Sequence, residues 1–244
     1  FENSYIDKIQ FNKIINSEIK LRKRKRIYLE DSRYFVEEVR KKVINNYGFE
    51  KVYKQGFNIK TPIDLHLQNV ATKALREGLE KYDKRRGWRG PLLNKKIDKK
   101  WITGLKKYNL EKSIGWELAI IKRIDKFEAI VVTKENKTGI IEHEDINWTR
   151  KNLNQIFKIG DIVYVKKKSE GNYSLKQVPL ANGAIVVMDP FSGRILAMSG
   201  GFSFKKSEFN RSTQALRQPG SAFKPFIYAL ALENEFTPSS LILD

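Results

Sequence analysis

Lys158-Ile-Gly-Asp-Ile-Val-Tyr-Val165 sets a glycine–aspartate break directly before an apolar run, the pattern of a chain that turns and then enters a buried strand. Its own run extends from Gly160 to Lys167. Trp116 to Asp125, Glu128 to Lys134 and Gly139 to His143 precede it, and Tyr173 to Val178 follows, each with a period close to two. Asp125-Lys126, Glu135-Asn136-Lys137, the polar stretch after Trp148, and Ser169-Glu170-Gly171-Asn172 separate them. Five short antiparallel strands over residues 91–180 predict a small Greek-key barrel, and the Lys158–Val165 entry is of a kind common in OB folds.

Upstream of Arg85-Arg-Gly-Trp-Arg-Gly-Pro91 the period becomes helical. Asp64 opens a helix whose apolar side is Leu67, Val70, Ala71, Ala74, Leu75, Leu79 and Tyr82, and Asp31 or Ser32 opens another carrying Phe35, Val36, Val39, Val43, Ile44 and Tyr47. Gly48 is placed to end the latter. Between them Phe57-Asn-Ile-Lys-Thr-Pro-Ile63 alternates enough to read as a short strand. From Tyr5 to Ile19 a rough amphipathic helix is expected with Asp7 as its cap, then the basic run Arg22-Lys-Arg-Lys-Arg26, which reads as a solvated linker or as a patch for an anionic surface.

Downstream, Ala184–Met188 and Arg194–Met198 flank the turn-forming Asp189-Pro-Phe-Ser-Gly193 and predict a hairpin whose strands are core. Then comes Gln218-Pro-Gly-Ser-Ala-Phe-Lys-Pro-Phe226. Pro219-Gly220 is a turn signal, Ser221 an N-cap type, and Phe223, Phe226, Ile227, Leu230 and Ala231 follow at helical spacing. A helix starting at about Ser221 puts Ser221 and Lys224 on one face a turn apart, so that the amine can reach the hydroxyl. Lys224 would be the general base and Ser221 the nucleophile of an acyl-enzyme. Bringing an amine from about 10.4 to near 7 takes on the order of 4 kcal/mol, which burial in a closed site would supply.

That spacing alone is unspecific, because Ser17-Glu-Ile-Lys20 and Ser203-Phe-Lys-Lys206 share it, and Ser221 reads equally as a capping serine without chemistry. Bulk properties narrow the field little. The 244 residues carry 47 Lys and Arg against 28 Asp and Glu, a formal charge of +19, which favours polyanionic neighbours: nucleic acid, lipid headgroups or wall polymers. There is no cysteine, which removes thiolate and disulfide chemistry. His66 and His143 stand far apart, so no metal and no cofactor is implied. No apolar run is long enough to span a bilayer. Trp116, Phe127, Trp148, Tyr164 and Tyr173 on a basic barrel leave a nucleic-acid-binding module open as the rival reading.

Gly183-Ala-Ile-Val-Val-Met-Asp-Pro-Phe-Ser-Gly-Arg-Ile-Leu-Ala-Met-Ser-Gly-Gly201, Phe209-Asn-Arg-Ser-Thr-Gln-Ala215, the Pro-Gly-Ser-Ala-Phe-Lys-Pro stretch and Thr237-Pro-Ser-Ser-Leu-Ile-Leu-Asp244 strongly resemble the opening of a transpeptidase domain. The family is the bifunctional class A penicillin-binding proteins. Tyr34-Phe-Val-Glu-Glu-Val-Arg40 and Tyr82-Asp-Lys-Arg-Arg-Gly-Trp-Arg-Gly-Pro91 look like the linker of their 1A branch, which carries an OB-like insertion. The resemblance implies an α+β multidomain fragment. It divides into the tail of a glycosyltransferase domain and basic linker (1–30), a helical linker packing on the transpeptidase domain (31–90), an OB-like barrel (91–180) and a truncated transpeptidase domain (181–244).

It also implies Ser221 as acyl-ester nucleophile and Lys224 as base in crosslinking peptidoglycan stem peptides. Implied partners are glycan strands, β-lactams and other wall-synthesis proteins through the barrel, not nucleic acid. The location implied is the periplasmic face of a bacterial inner membrane, with the anchor and the glycosyltransferase residues lying before Phe1. Departures from the family pattern are plain: Lys137-Thr138-Gly139 spells its KTG motif but precedes the serine, reading instead as a hairpin turn, and no SxN follows Ser221.

Overall fold

The structure is a computed structural model describing residues 3–17, 29–98 and 100–241. The basic run 22–26 and Lys20 lie outside these. Helix α1 (Lys8–Ile15) is opened by Asp7, whose carboxylate accepts from the Gln10 backbone N–H while the Gln10 side chain returns the bond, as expected of a capping box. Helix α2 (Arg33–Tyr47) ends at Gly48 with φ +81, a conformation glycine adopts without penalty. Neither Asp31 nor Ser32 caps it. Ser32 gives its hydroxyl to the Leu29 carbonyl at 2.8 Å, and Asp31 pairs with Arg76 at 2.9 Å. A short 3-10 turn, Glu30–Ser32, leads in instead.

Helix α3 (Phe49–Lys54) follows, then α4 (Leu65–Lys84), where Asp64 does accept from the Leu67 N–H. The segment 57–63 is not a strand. No ladder forms over these residues, and Pro62 has no N–H to offer one. The buried side of α4 also departs from the expected stripe: Gln68, Ala71 and Thr72 are buried, whereas Val70, Ala74 and Tyr82 are exposed.

Residues 93–176 form the barrel. Its strands are β1 (Leu93–Asn94), which the sequence did not signal, β2 (Trp116–Ile124), β3 (Glu128–Thr133), β4 (Thr138–Glu142), β5 (Asp161–Ser169) and β6 (Asn172–Lys176). The order β5-β2-β3-β4-β6 closes on itself through β5–β6. Every pairing is antiparallel except β4–β6, which is parallel. Helix α5 (Leu153–Ile156) packs Leu153 and Ile156 into the interior, which is otherwise filled by Ile121, Val131, Ile141, Val163, Val165, Tyr173 and Leu175.

Strands β2 and β5 are buried on both faces, because the segment around Trp101, Leu105, Leu110 and Ile114 folds back over their outer side together with Phe202. That explains their continuous apolar runs, which a strand wet on one face does not need. Beyond the barrel, β7 (Ile185–Met188) and β8 (Ile195–Ser199) form the expected hairpin, and α6 (Lys224–Glu233) is the last helix. The buried strand is β8; β7 is only half covered.

Candidate active site

The chain approaches the Ser221–Lys224 turn by way of β8. Gly200 and Gly201 leave that strand where a side chain has no room: a Cβ on Gly200 would stand 2.7 Å from the Asn210 Cα, and one on Gly201 2.5 Å from the Tyr34 hydroxyl. Their bareness lets the 209–214 run fold back onto the strand. The buried Asn210 donates its side-chain amide to the Met198 sulfur at 3.3 Å, and the Arg211 N–H donates to the Gly200 carbonyl at 3.2 Å. Tyr34 donates to the Ser207 carbonyl at 2.7 Å. Burial pushes its phenol up to about 12, against the pull of the nearby Arg211 guanidinium.

Two buried polar side chains hold this approach to the rest of the molecule. On α4, Gln68 donates to the Met198 carbonyl at 3.0 Å and accepts from the Met198 N–H at 2.9 Å. From the cover over the barrel, Glu111, only 1% exposed, accepts from the Ser203 hydroxyl at 2.6 Å and from the Lys205 N–H at 2.7 Å. Ser203 is therefore committed to a structural carboxylate. Lys206, the other end of that SxxK spacing, donates to the Lys107 carbonyl at 2.9 Å, and burial lowers its amine below the ordinary lysine value. Nothing in the sequence marks Gln68 or Glu111 beyond their charge or polarity among apolar neighbours.

Ser221 itself does not cap a helix. Gly220, at φ +56, opens a 3-10 turn, Gly220–Phe223, and α6 begins only at Lys224. The cause is Pro225. In an α-helix the carbonyl of Ser221 would accept from residue 225, which here has no N–H. It accepts from the Lys224 N–H instead, the i→i+3 bond of the tighter helix. Ser221 and Lys224 are thus joined directly through their backbones.

Both side chains are exposed, as are Phe223, Phe226, Ile227 and Leu230, and no residue of α6 is buried. The enclosure expected around Lys224 is not built by the described residues. A cavity of about 530 Å³ does exist, between the barrel and its cover, lined by Tyr108, Glu111, Trp116, Glu117 and Lys134 among others. It belongs to the barrel and includes neither Ser221 nor Lys224.

The remaining motif residues are structural. Lys137 pairs with Glu135 at 2.6 Å, its carbonyl accepts from the Thr133 N–H, and Asn136 sits at φ +62, so the KTG spelling marks the β3–β4 turn. His143 lies 3.3 Å from the Asn152 side chain, whereas His66 is exposed. Of the aromatics that could have stacked bases, Tyr164 and Tyr173 are buried, and Trp148 packs edge-on against Trp88.

Comparison with known proteins bears directly on this arrangement. Residues 88–181 match the model of the penicillin-binding protein OB-like domain, and residues 183–243 that of the penicillin binding protein transpeptidase domain. The chain belongs to the 1A branch of the penicillin-binding proteins. It is 38% identical over 250 residues to penicillin-binding protein 1A of Rickettsia felis, covering 100% of this chain and 31% of that one. The corresponding protein of Pseudomonas aeruginosa is 36% identical over 226 residues, 86% of this chain and 27% of that one. The crystal structure of penicillin-binding protein 1A from Haemophilus influenzae superposes with a TM-score of 0.77 at 32% identity, covering 100% of this chain and 36% of its own. The chain spans about a third of the length of the curated relatives it matches, 31% for that of Rickettsia felis. The α+β architecture, with an OB-like barrel ahead of the opening of a transpeptidase domain, is therefore as expected.

Proposed function

We propose that this chain carries the nucleophile end of a serine D,D-transpeptidase that crosslinks peptidoglycan stem peptides. The observation that carries the reading is the Ser221–Lys224 turn at the head of α6, lying within the match to the transpeptidase model. The Ser221 oxygen forms a bond to the penultimate D-alanine carbonyl as the C–N bond to the last D-alanine breaks. The serine proton passes to Lys224 and on to the departing amine. An amine from a neighbouring strand then takes the acyl group, or water does, and Ser221 recovers its proton. A β-lactam enters the same first step, but its ring nitrogen stays tethered, so the ester persists.

In the same reading the whole protein also polymerises glycan strands and works at the periplasmic face of the inner membrane. No helix among the described residues is long and apolar enough to cross a bilayer, and a membrane anchor before Phe1 is part of the same proposal. Other wall-synthesis proteins are assigned to the barrel as partners.

A fluorescent penicillin tests the chemistry on a protein extended to the length of the relatives. It should be labelled at Ser221, with the Ser221→Ala variant unlabelled. Lys224→Ala should slow acylation by about 10² to 10⁴, the worth of general-base assistance. Label persisting on Ser221→Ala would refute the assignment.

A further inference from the structure

We infer that Pro225 is a positioning residue for the acylation step: by withholding an N–H from the Ser221 carbonyl it keeps Ser221 and Lys224 in the eclipsed register of a 3-10 turn. This rests on the transpeptidase reading and adds to it a residue that touches no substrate. The observations are the i→i+3 bond from the Lys224 N–H to the Ser221 carbonyl, and a 3-10 turn that ends where Pro225 enters α6. Phe223, at φ −79 and ψ −20, has the shallow ψ of that geometry.

With three residues per turn, side chains at i and i+3 stand one above the other; with 3.6 they are about 60° apart around the axis. A proton transfer between hydroxyl and amine is sensitive to that angle. Misplacement by an ångström can cost on the order of 10²-fold in rate. An N–H at position 225 would compete for the Ser221 carbonyl and draw the turn toward α-geometry, swinging Lys224 away from above Ser221. Proline is also favoured in the first turn of any helix for its fixed φ, so the two roles must be separated by experiment.

Acylation by a fluorescent penicillin, followed over a range of concentrations on the full-length protein, separates the affinity before acylation from the acylation rate constant. Pro225→Ala should lower the rate constant by about tenfold or more and leave that affinity in place. Residue 225 is exposed, and the melting transition checks that the variant folds.

Replacing residue 225 with the α-hydroxy acid counterpart of alanine puts an ester oxygen where the N–H would stand, without the proline ring. Acylation near the wild-type rate in this variant supports the assignment, even should Pro225→Ala fold poorly. Pro225→Ala acylating like wild type, or the ester variant remaining as slow as Pro225→Ala, overturns it. A wild-type protein that takes no label at Ser221 would instead overturn the acyl-enzyme reading, and this assignment with it.

Discussion

Tyr34, Gln68 and Glu111 each carry a polar group into a region shielded from water, and each has a partner there. An unpaired group at such a site costs about 1–3 kcal/mol, so pairing decides whether the approach to Ser221 holds its shape. Tyr34 makes this measurable through pH. Its phenol, at 10.0 when unperturbed, is raised to about 12 in the folded protein by burial. Its contribution to stability is therefore complete below pH 10, because both states then hold the proton. It is lost as pH rises toward 12, because the unfolded state ionises first. Urea midpoints measured from pH 9 to 12 should fall over that window, and Tyr34→Phe should fall less steeply. Tyr164 and Tyr173, also raised by burial, leave a residual slope. Such residues are hard to read from sequence: Gln68, and not Val70, lies on the inner side of α4, where its amide satisfies the Met198 peptide groups, a demand that hydropathy does not register.

Among elements, the barrel was the most legible, since strands that bury side chains on alternate positions betray themselves by period two. The short β1 escaped because two residues have no period. The segment 57–63 misled for the opposite reason: its alternation is real, but a strand also needs a neighbour, which only the tertiary fold supplies. Closure of the barrel rests on a close approach at Gly139, where an added Cβ would lie 2.5 Å from the Gly171 carbonyl and collide with the Tyr173 ring. Gly139→Ala should destabilise the chain by about 1–3 kcal/mol, the usual cost of overpacking, seen as a lowered melting temperature. An unchanged melting temperature would mean that β4 and β6 separate freely. For α6 the start is legible in the sequence to within a few residues, but Ser221 lies in the 3-10 turn before it and is not its cap. The missing N–H of Pro225 was visible there, and its consequence is the 3-10 turn.

Across the whole molecule, the contrast between a sealed barrel and an exposed α6 has a functional corollary. Phe226 is 69% exposed and Leu230 59%, so among the described residues nothing walls in the proposed nucleophile to hold a substrate or desolvate the proposed base. The 244-residue chain by itself should take up little or no fluorescent penicillin, whereas the protein at the relatives' full length should label. Strong labelling of the short chain would show that acylation needs less of the domain than supposed. Charge and composition told least at this scale, for a formal +19 fits several anionic neighbours and names none. The hairpin adds a final point. On the flank of β8 away from β7, the Asp64 N–H occupies the Leu196 carbonyl and the Gln68 amide occupies both backbone groups of Met198. That margin is stoppered by side chain and helix cap, and the sheet can acquire a new neighbour only beside β7. A further strand of the domain must therefore align on β7, and the hairpin sets the direction in which the sheet grows.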